Sequence, residues 1–160
     1  MPKTLEQLFS TLPQIGQVEW LGLRPKRRKK MITPTSILAD CDVGLIGDRY
    51  SGRSGKRQVT IIQAEHLSVI ASLLGINRIE PELLRRNIAV SGINLLALKN
   101  KHFSIGDVIL ECTGLCHPCS FMESTFGDGG YNAVRGHGGI TARVIKAGKI
   151  NLQDNVSLIN

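Results

Sequence analysis

The stretch His102–Thr113, HFSIGDVILECT, alternates between two kinds of position along the chain. In its second half Val108, Leu110 and Cys112 fall on one side, and the residues between them fall on the other. A period of two is the side-chain spacing of a β-strand with one buried face. The stretch therefore predicts a half-buried strand, in which Cys112 is a core thiol.

Several other short segments on both sides of this stretch also have the composition of strands. They are Gly16–Arg24, Ile37–Cys41, Val59–Ile62, Ile88–Ser91, Ile140–Ala147 and Asn155–Ile159. Many short strands with few helices are typical of a barrel. A chain of 160 residues has the size of one domain. We therefore predict a mostly β, α+β fold, a β-barrel decorated by short helices.

Three short helices are predicted around the strands. Thr4 and Gln7 have the spacing of a capping box at the start of the first helix. Ala64–Leu74 has helical periodicity, and Gly75 is suited to end it. Pro81 is suited to open the third helix. The glycine-rich segment from residue 127 to residue 139 is expected to be a flexible loop.

The net charge of +7 is concentrated in one place. Lys26–Lys30 holds five consecutive basic residues, and without them 15 basic and 13 acidic side chains remain, a net charge of +2. The basic character is therefore local. This pattern favours a solvated loop over an anion- or RNA-binding patch, and nucleic acid is not the expected partner.

The sequence has neither a membrane-spanning segment nor a signal peptide, and this absence bears on its compartment and on the state of its cysteines. No run approaches the roughly 18 apolar residues of a membrane span. The first residues, MPKTLE, include an acid and no apolar signal region. We therefore expect a cytoplasmic protein with no membrane partner, whose four cysteines do not form structural disulfides.

The segment Gly47–Ser54, GDRYSGRS, is similar in spacing to a phosphate-binding P-loop. A P-loop must open a helix, whereas here a β-branched strand begins near Val59. Nucleotide hydrolysis is therefore not expected. The loop and the residues after it still carry four cations that could bind an anion or simply face solvent: Arg49, Arg53, Lys56 and Arg57.

Three cysteines lie close together, one near the end of the stretch His102–Thr113 and two shortly after it. Cys112, Cys116 and Cys119 have the spacing of a radical-enzyme iron–sulfur site, but too little chain follows for such an enzyme. The segment Cys116–Cys119, CHPC, could be half of a zinc site, a redox dithiol, a packed pair, or a reactive or ligating thiolate. Ser120–Glu123 could form a first helical turn that stabilises a thiolate at Cys119. The residues alone leave these alternatives open.

Five segments, in order, resemble the motifs of the MOSC family, named for the C-terminal domain of molybdenum cofactor sulfurase. They are Gly44–Arg49 (GLIGDR), Arg57–Ile61 (RQVTI), Arg85–Ile93 (RRNIAVSGI), Ile105–Asp107 with the strand that leads to Cys116–Cys119, and Arg135–Ile140 (RGHGGI). The resemblance covers roughly residues 15–160, so residues 1–14 are an expected N-terminal helical appendage. Tyr50 stands where the family often has histidine, and Gln153 where it often has glycine.

The resemblance implies a function for one cysteine, Cys119. It would carry sulfur as a persulfide or ligate the molybdenum of a molybdenum–pterin cofactor. The cofactor-binding residues at the matching positions are Asp48, Arg49, Arg57, Arg85 and Asn87. The implied partners are a cysteine-desulfurase-type sulfur donor that uses pyridoxal phosphate, and a reductase. Whether the chain itself is a sulfurtransferase-like enzyme or an oxidoreductase component stays open.

Each implied site residue also has a purely structural interpretation. Asp48 and Arg49 could form an internal ion pair, and Asn87 could be a turn residue. Arg85 and Arg86 could be the exposed face of a short helix. His117 could be a spacer beside Cys119, and His137 could be an exposed loop residue. The alternative function is a non-catalytic zinc- or RNA-binding module.

Overall fold

The computed structural model describes residues 1–50 and 52–160. The strands of this part are β1 Gly16–Leu21, β2 Ser36–Asp40, β3 Gly44–Leu45, β4 Val59–Gln63, β5 Ile88–Ser91, β6 His102–Ile105, β7 Val108–Leu115, β8 Ile140–Lys146, β9 Gly148–Asn151 and β10 Asn155–Leu158. The helices are α1 Leu5–Ser10, α2 Ala64–Leu74, α3 Ser120–Phe126 and α4 Gly130–Val134, with two 3-10 turns at Pro81–Leu84 and Leu95–Leu98.

Seven strands close into a barrel in the order β1-β10-β6-β7-β8-β4-β5. Its pairs are antiparallel except β4 and β5, which run parallel. A parallel pair needs a crossover connection, and α2 is that crossover. A second sheet, β3-β2-β9, lies beside the barrel. The predicted fold class, a mostly β barrel decorated by short helices, is confirmed.

The stretch His102–Thr113 is a hairpin and not one continuous strand. β6 and β7 pair antiparallel around a tight turn, with Ile105 opposite Val108. Gly106 has a φ of 56°, and a Cβ atom there would lie 2.5 Å from a carboxylate oxygen of Asp154. Within β7 the alternation holds, since Val108, Leu110 and Cys112 are buried. The alternation shifts by one residue at the turn, because Phe103 and Ile105 are buried before it and Val108 and Leu110 after it. The prediction of a single strand missed this change of phase.

The core has two parts, and β4 belongs to both. Val59 and Ile61 pack inside the barrel, whereas Ile62 packs against the outer cluster of helical residues. All five residues of β4 are buried for this reason. Met122 of α3 belongs to the outer cluster and fixes this helix against the barrel wall. The residue immediately before α3 is Cys119.

The segment from residue 127 to residue 139 is not the flexible loop that its glycines suggest. It contains α4, whose residues Ala133 and Val134 are buried. The Glu123 carboxylate accepts hydrogen bonds from the backbone N–H groups of Gly129 and Tyr131, at 3.0 and 2.9 Å. These bonds satisfy amides at the start of α4. The glycines here permit close packing and left-handed turns rather than disorder.

The short α1 begins as predicted and lies at the surface. Thr4 and Gln7 form the expected capping box. The helix ends at Ser10, before Pro13, and none of its residues is buried. The described residues contain no helix with the length and hydropathy to cross a membrane.

Candidate functional site

A pocket of about 270 Å³ opens beside the start of α3 and contains Cys119. Its lining is dominated by cations: seven arginines contribute to it, with no aspartate or glutamate. They are Arg24, Arg27, Arg28, Arg49, Arg57, Arg85 and Arg86. These arginines come from four separate segments of the chain, which the barrel brings to one rim. The positive potential they create attracts anions to the thiol.

Cys119 is presented at the pocket by an extended segment that follows β7. The Cys116 N–H donates to the carbonyl oxygen of Gly139 at 2.8 Å, and Cys116 is buried. Three residues later Cys119 is the N-cap of α3, and its carbonyl oxygen accepts from the Met122 N–H at 2.9 Å. Its thiol is exposed. The short helix predicted after Cys119 is therefore confirmed, and the CHPC segment separates one buried from one accessible thiol.

Arg86 is a buried cation in the wall of this pocket, with 7% of its surface exposed. Its Nε donates to the carbonyl oxygen of Gly138 and its Nη1 to that of Leu84, both at 2.8 Å. Its Nη2 is buried and has no hydrogen-bond partner among the described residues. Burial lowers the pKa of Arg86, while negative charge on Cys116 and Cys119 would raise it. The interpretation of Arg86 as an exposed helical residue is wrong.

Asp48 is the centre of a hydrogen-bonded network beneath the pocket. Its carboxylate accepts from the Arg24 backbone N–H at 2.8 Å and from the Arg24 side chain at 3.1 and 2.9 Å. It also accepts from the Tyr50 N–H and from Asn87 Nδ2. Burial alone would raise the pKa of Asp48, but the hydrogen bonds and charge of Arg24 hold it below its ordinary value. The ion pair of Asp48 is thus with Arg24, not with Arg49.

Asn87 is fully buried and uses its whole amide group. Its Nδ2 donates to the carbonyl oxygen of Gly22 and to Asp48, both at 3.1 Å. Its Oδ1 accepts from the N–H and the hydroxyl of Thr60, at 3.0 and 3.1 Å. Asn87 and Asp48 therefore lie below the pocket and outside its lining, where they hold Arg24 in place.

Arg85 fastens the basic segment Lys26–Lys30 to the pocket. Its Nη1 donates to the carbonyl oxygen of Lys29 at 2.6 Å and its Nη2 to that of Lys26 at 3.1 Å. Burial and the neighbouring charges of Arg24 and Arg49 lower the pKa of Arg85. Asp48, which pairs with Arg24, offsets only part of this repulsion.

The basic segment is more than a solvated loop. Its residues are exposed, but Arg27 and Arg28 line the pocket. The Arg28 guanidinium lies 5.9 Å from the ring centroid of Phe121 in α3, within the range of a cation–π interaction. Arg27 and Arg28 are exposed, as expected of a solvated loop, but they also border the pocket.

Arg49 and Arg57 are exposed and line two neighbouring cavities. Both residues line the pocket with Cys119 and a smaller cavity of about 200 Å³ beside it. Tyr50 and Thr60 also line the smaller cavity. The Tyr50 hydroxyl accepts a hydrogen bond from the Gly55 N–H at 3.0 Å, so Tyr50 fixes the conformation of its own loop.

The family model of the MOSC domain matches residues 42–157. The chain belongs to the MOSC domain family. Among solved structures, the YuaD protein from Bacillus subtilis superposes on this MOSC chain with a TM-score of 0.78 at 21% identity, covering 92% of this chain and 98% of that one. YiiM from Geobacillus stearothermophilus gives a TM-score of 0.70 at 14% identity, covering 91% and 75%.

YiiM from Escherichia coli gives a TM-score of 0.69 at 16% identity, covering 90% of this chain and 70% of that one. At these identities the likeness shows a shared fold. No curated protein matches the sequence.

The structure of this MOSC domain brings four of the predicted site residues to one pocket: Cys119, Arg49, Arg57 and Arg85. Asp48 and Asn87 support it from below. Sequence reasoning did not select Arg24 or Arg86, which the structure adds. Arg86 lies directly between Arg85 and Asn87 in a matched motif, and this adjacency was the available signal. Arg24 carries no local signal, because its role depends on Asp48, which lies 24 residues away.

The remaining cysteines and histidines lie in other environments. Cys112 is 2% exposed, and burial raises the pKa of its thiol, as expected of a core residue. His117 lines the pocket, whereas the ring of His137 packs edge-on against His66, with centroids 5.1 Å apart. Within residues 1–50 and 52–160, no group of three or more His, Cys, Asp or Glu side chains is arranged to hold a metal ion.

Proposed function

We propose that this MOSC domain binds a molybdenum–pterin cofactor, or carries sulfur for one, with Cys119 as its functional residue. One observation supports the proposal above the others. The exposed thiol of Cys119 shares a pocket with seven arginines, and one of these, Arg86, has a buried Nη2 without a partner. A soft sulfur atom and a set of anion-binding donors are thus available to one ligand.

The residues of the pocket fit such a cofactor in two respects. Its phosphate suits guanidinium groups, and Arg49, Arg57 and Arg85 would hold it. Thiolate is a ligand for soft metals, and Cys119 would be the only protein ligand. A single protein ligand suffices for a metal that brings further sulfur ligands with it. When bound, the cofactor would supply a soft metal–sulfur centre, while Asp48 and Asn87 keep Arg24 in position.

As a sulfur carrier, Cys119 would accept sulfur from a cysteine-desulfurase-type partner that uses pyridoxal phosphate. The Cys119 thiolate attacks the terminal sulfur of the donor's persulfide and forms a new S–S bond. The donor's own S–S bond breaks, and its cysteine leaves as a thiolate. The exposure of Cys119 supports this step, whereas the burial of Cys116 does not suit it. Where the cofactor undergoes redox chemistry, a reductase partner would supply electrons.

Intact-protein mass spectrometry combined with metal analysis tests this proposal. Protein purified with its sulfur donor and cofactor supply is expected to carry one added sulfur on Cys119, or stoichiometric molybdenum. Cys119→Ser is expected to lose both, and the matched variant Cys116→Ser is expected to keep them. If Cys119→Ser retains added sulfur and molybdenum, the proposal is wrong. Stoichiometric zinc without molybdenum would instead support the alternative of a zinc module.

A further inference from the structure

We propose that Cys119 takes sulfur directly from a small sulfane-sulfur dianion of the thiosulfate class, bound by the arginines of its pocket. This inference rests on the proposed role of Cys119 as a sulfur carrier. It goes further because it names a small-molecule sulfur donor, with which Cys119 could be loaded without a protein partner. The activity would be the first half-reaction of a thiosulfate sulfurtransferase.

The charge of the pocket selects an anion as its ligand. Of the seven lining arginines, only Arg24 forms an ion pair with a carboxylate of the described residues. The other six crowd their charges around a cavity of about 270 Å³ that contains a thiol. Like charges held together cost stability, and an anionic ligand would offset this cost.

Arg86 supplies a specific donor near Cys119. The carbonyl oxygens of Gly138 and Leu84 accept from its Nε and Nη1, and Nη2 is the guanidinium nitrogen with no hydrogen-bond partner among the described residues. This side chain is more than nine-tenths buried and lies in the wall of the pocket. A charged donor buried without a partner is costly, so a small movement of the pocket wall that lets a sulfonate oxygen reach Nη2 would relieve this cost.

The chemistry balances with thiosulfate as the only co-reactant. The Cys119 thiolate attacks the outer sulfur of thiosulfate and forms the S–S bond of a persulfide. The bond between the two sulfurs of thiosulfate breaks, and sulfite leaves with the electron pair. No oxidant or reductant is needed. The arginines stabilise the negative charge that develops on the leaving sulfite, because their N–H donors are already in place before the reaction starts.

A pocket rather than a flat surface favours a small anion over RNA. Arg85 binds the basic segment through two backbone carbonyls, and this contact places Arg27 and Arg28 on the rim. Outside this segment the chain has a net charge of only +2. A chain of phosphates would need a longer basic track than this rim offers.

The test incubates the full-length protein with thiosulfate without air, and then measures sulfur on Cys119 and sulfite in solution. We expect one added sulfur and one sulfite per chain, and thiocyanate production when cyanide is added as acceptor. Cys119→Ser should lose all three signals. Arg86→Met should raise the KM for thiosulfate about tenfold or more, since one charged hydrogen bond is lost.

Arg78→Met is the matched control because it removes the same charge outside the pocket. Arg78 is exposed and pairs with Glu80, so its variant should keep the KM of the parent protein. Since Arg86 also ties two backbone segments, Arg86→Met could misfold. The double variant Arg49→Gln/Arg57→Gln, at two exposed positions with no side-chain hydrogen bond among the described residues, should then raise the KM as well.

Three results would overturn the inference. The first is that thiosulfate adds no sulfur to Cys119, and the second is that KM rises equally for Arg78→Met and for the pocket variants. The third is that a short RNA blocks the reaction of thiosulfate with Cys119 and excess thiosulfate does not displace it. Two further outcomes distinguish a failure of this inference from a failure of the proposed function. If a protein persulfide donor loads Cys119 but thiosulfate does not, only the small-molecule donor is wrong. If neither loads Cys119 and molybdenum binding does not depend on it, both proposals are wrong.

Discussion

Cys112 and Cys119 lie seven positions apart and have opposite environments. Cys112 is on the inner face of β7, surrounded by apolar side chains of the barrel. Cys119 is exposed in a pocket lined by arginines. The barrel interior is complete without a ligand, whereas the pocket contains uncompensated charges and an unpartnered donor. The comparison indicates that the barrel interior supplies stability, whereas the uncompensated positive charges lie around the pocket.

Asp48 links the two regions, so its removal is expected to have the largest effect. Asp48→Ala leaves the largely buried Arg24 guanidinium without its carboxylate, and we expect the free energy of unfolding to fall by about 3–5 kcal/mol. Glu111→Ala removes a partly exposed carboxylate that contacts Arg143 and His102. It should cost about 1 kcal/mol or less. Denaturant titration of both variants measures the difference, and equal losses would contradict the central role of Asp48.

The same carboxylate predicts a smaller, reversible loss of stability in acid. The folded state holds the pKa of Asp48 below its ordinary value, so this group stabilises the fold above the ordinary Asp pKa of about 3.9. The contribution is lost as the pH falls through the lower folded value. Between about pH 5 and about pH 3 the parent protein should therefore lose more unfolding free energy than Asp48→Asn. Parallel losses would mean that other groups control the acid transition.

The loss in acid should be smaller than that of Asp48→Ala because a protonated carboxyl still accepts hydrogen bonds from Arg24. Unfolding curves of the parent protein and of Asp48→Ala, recorded at each pH together with those of Asp48→Asn, measure both losses. They also separate the charge of Asp48 from its size, since Asp48→Asn keeps the shape of the side chain.

The two cysteines themselves provide the next comparison. Cys112→Ser places a hydroxyl in the apolar barrel and should lower the free energy of unfolding by about 1–3 kcal/mol. Cys119→Ser, at an exposed position, should change it by less than about 0.5 kcal/mol. The two variants should rank in the opposite order for loss of persulfide: Cys119→Ser should lose it, whereas Cys112→Ser should keep it because Cys119 is still present. A large loss of stability in Cys119→Ser would mean that its thiol is part of the packing.

The sequence predicts the barrel better than it predicts the pocket. Alternation in β7 and the β-branched run Val59–Ile62 of β4 indicate buried strands directly, because burial acts on each strand locally. The β6–β7 turn was missed because the prediction followed the alternation of β7 alone, although the buried positions change phase between Ile105 and Val108. Burial of Arg86 could not be inferred, since arginines are mostly exposed and this one is held by carbonyls of Gly138 and Leu84. Pocket chemistry depends on contacts between distant segments, which local patterns do not encode.

Substitution of two arginines at the rim of the pocket should have the smallest effect on the free energy of unfolding. This variant should raise the stability, whereas the other variants lower it. Arg49→Gln with Arg57→Gln removes two like charges from a crowded cationic pocket. Because these exposed side chains make no hydrogen bonds with the described residues, the free energy of unfolding should rise by a few tenths of a kcal/mol at low salt. The gain should disappear at high salt, where screening removes the repulsion. Thermal unfolding at both ionic strengths measures it, and a loss of stability at low salt would show that the arginines support the fold rather than a ligand.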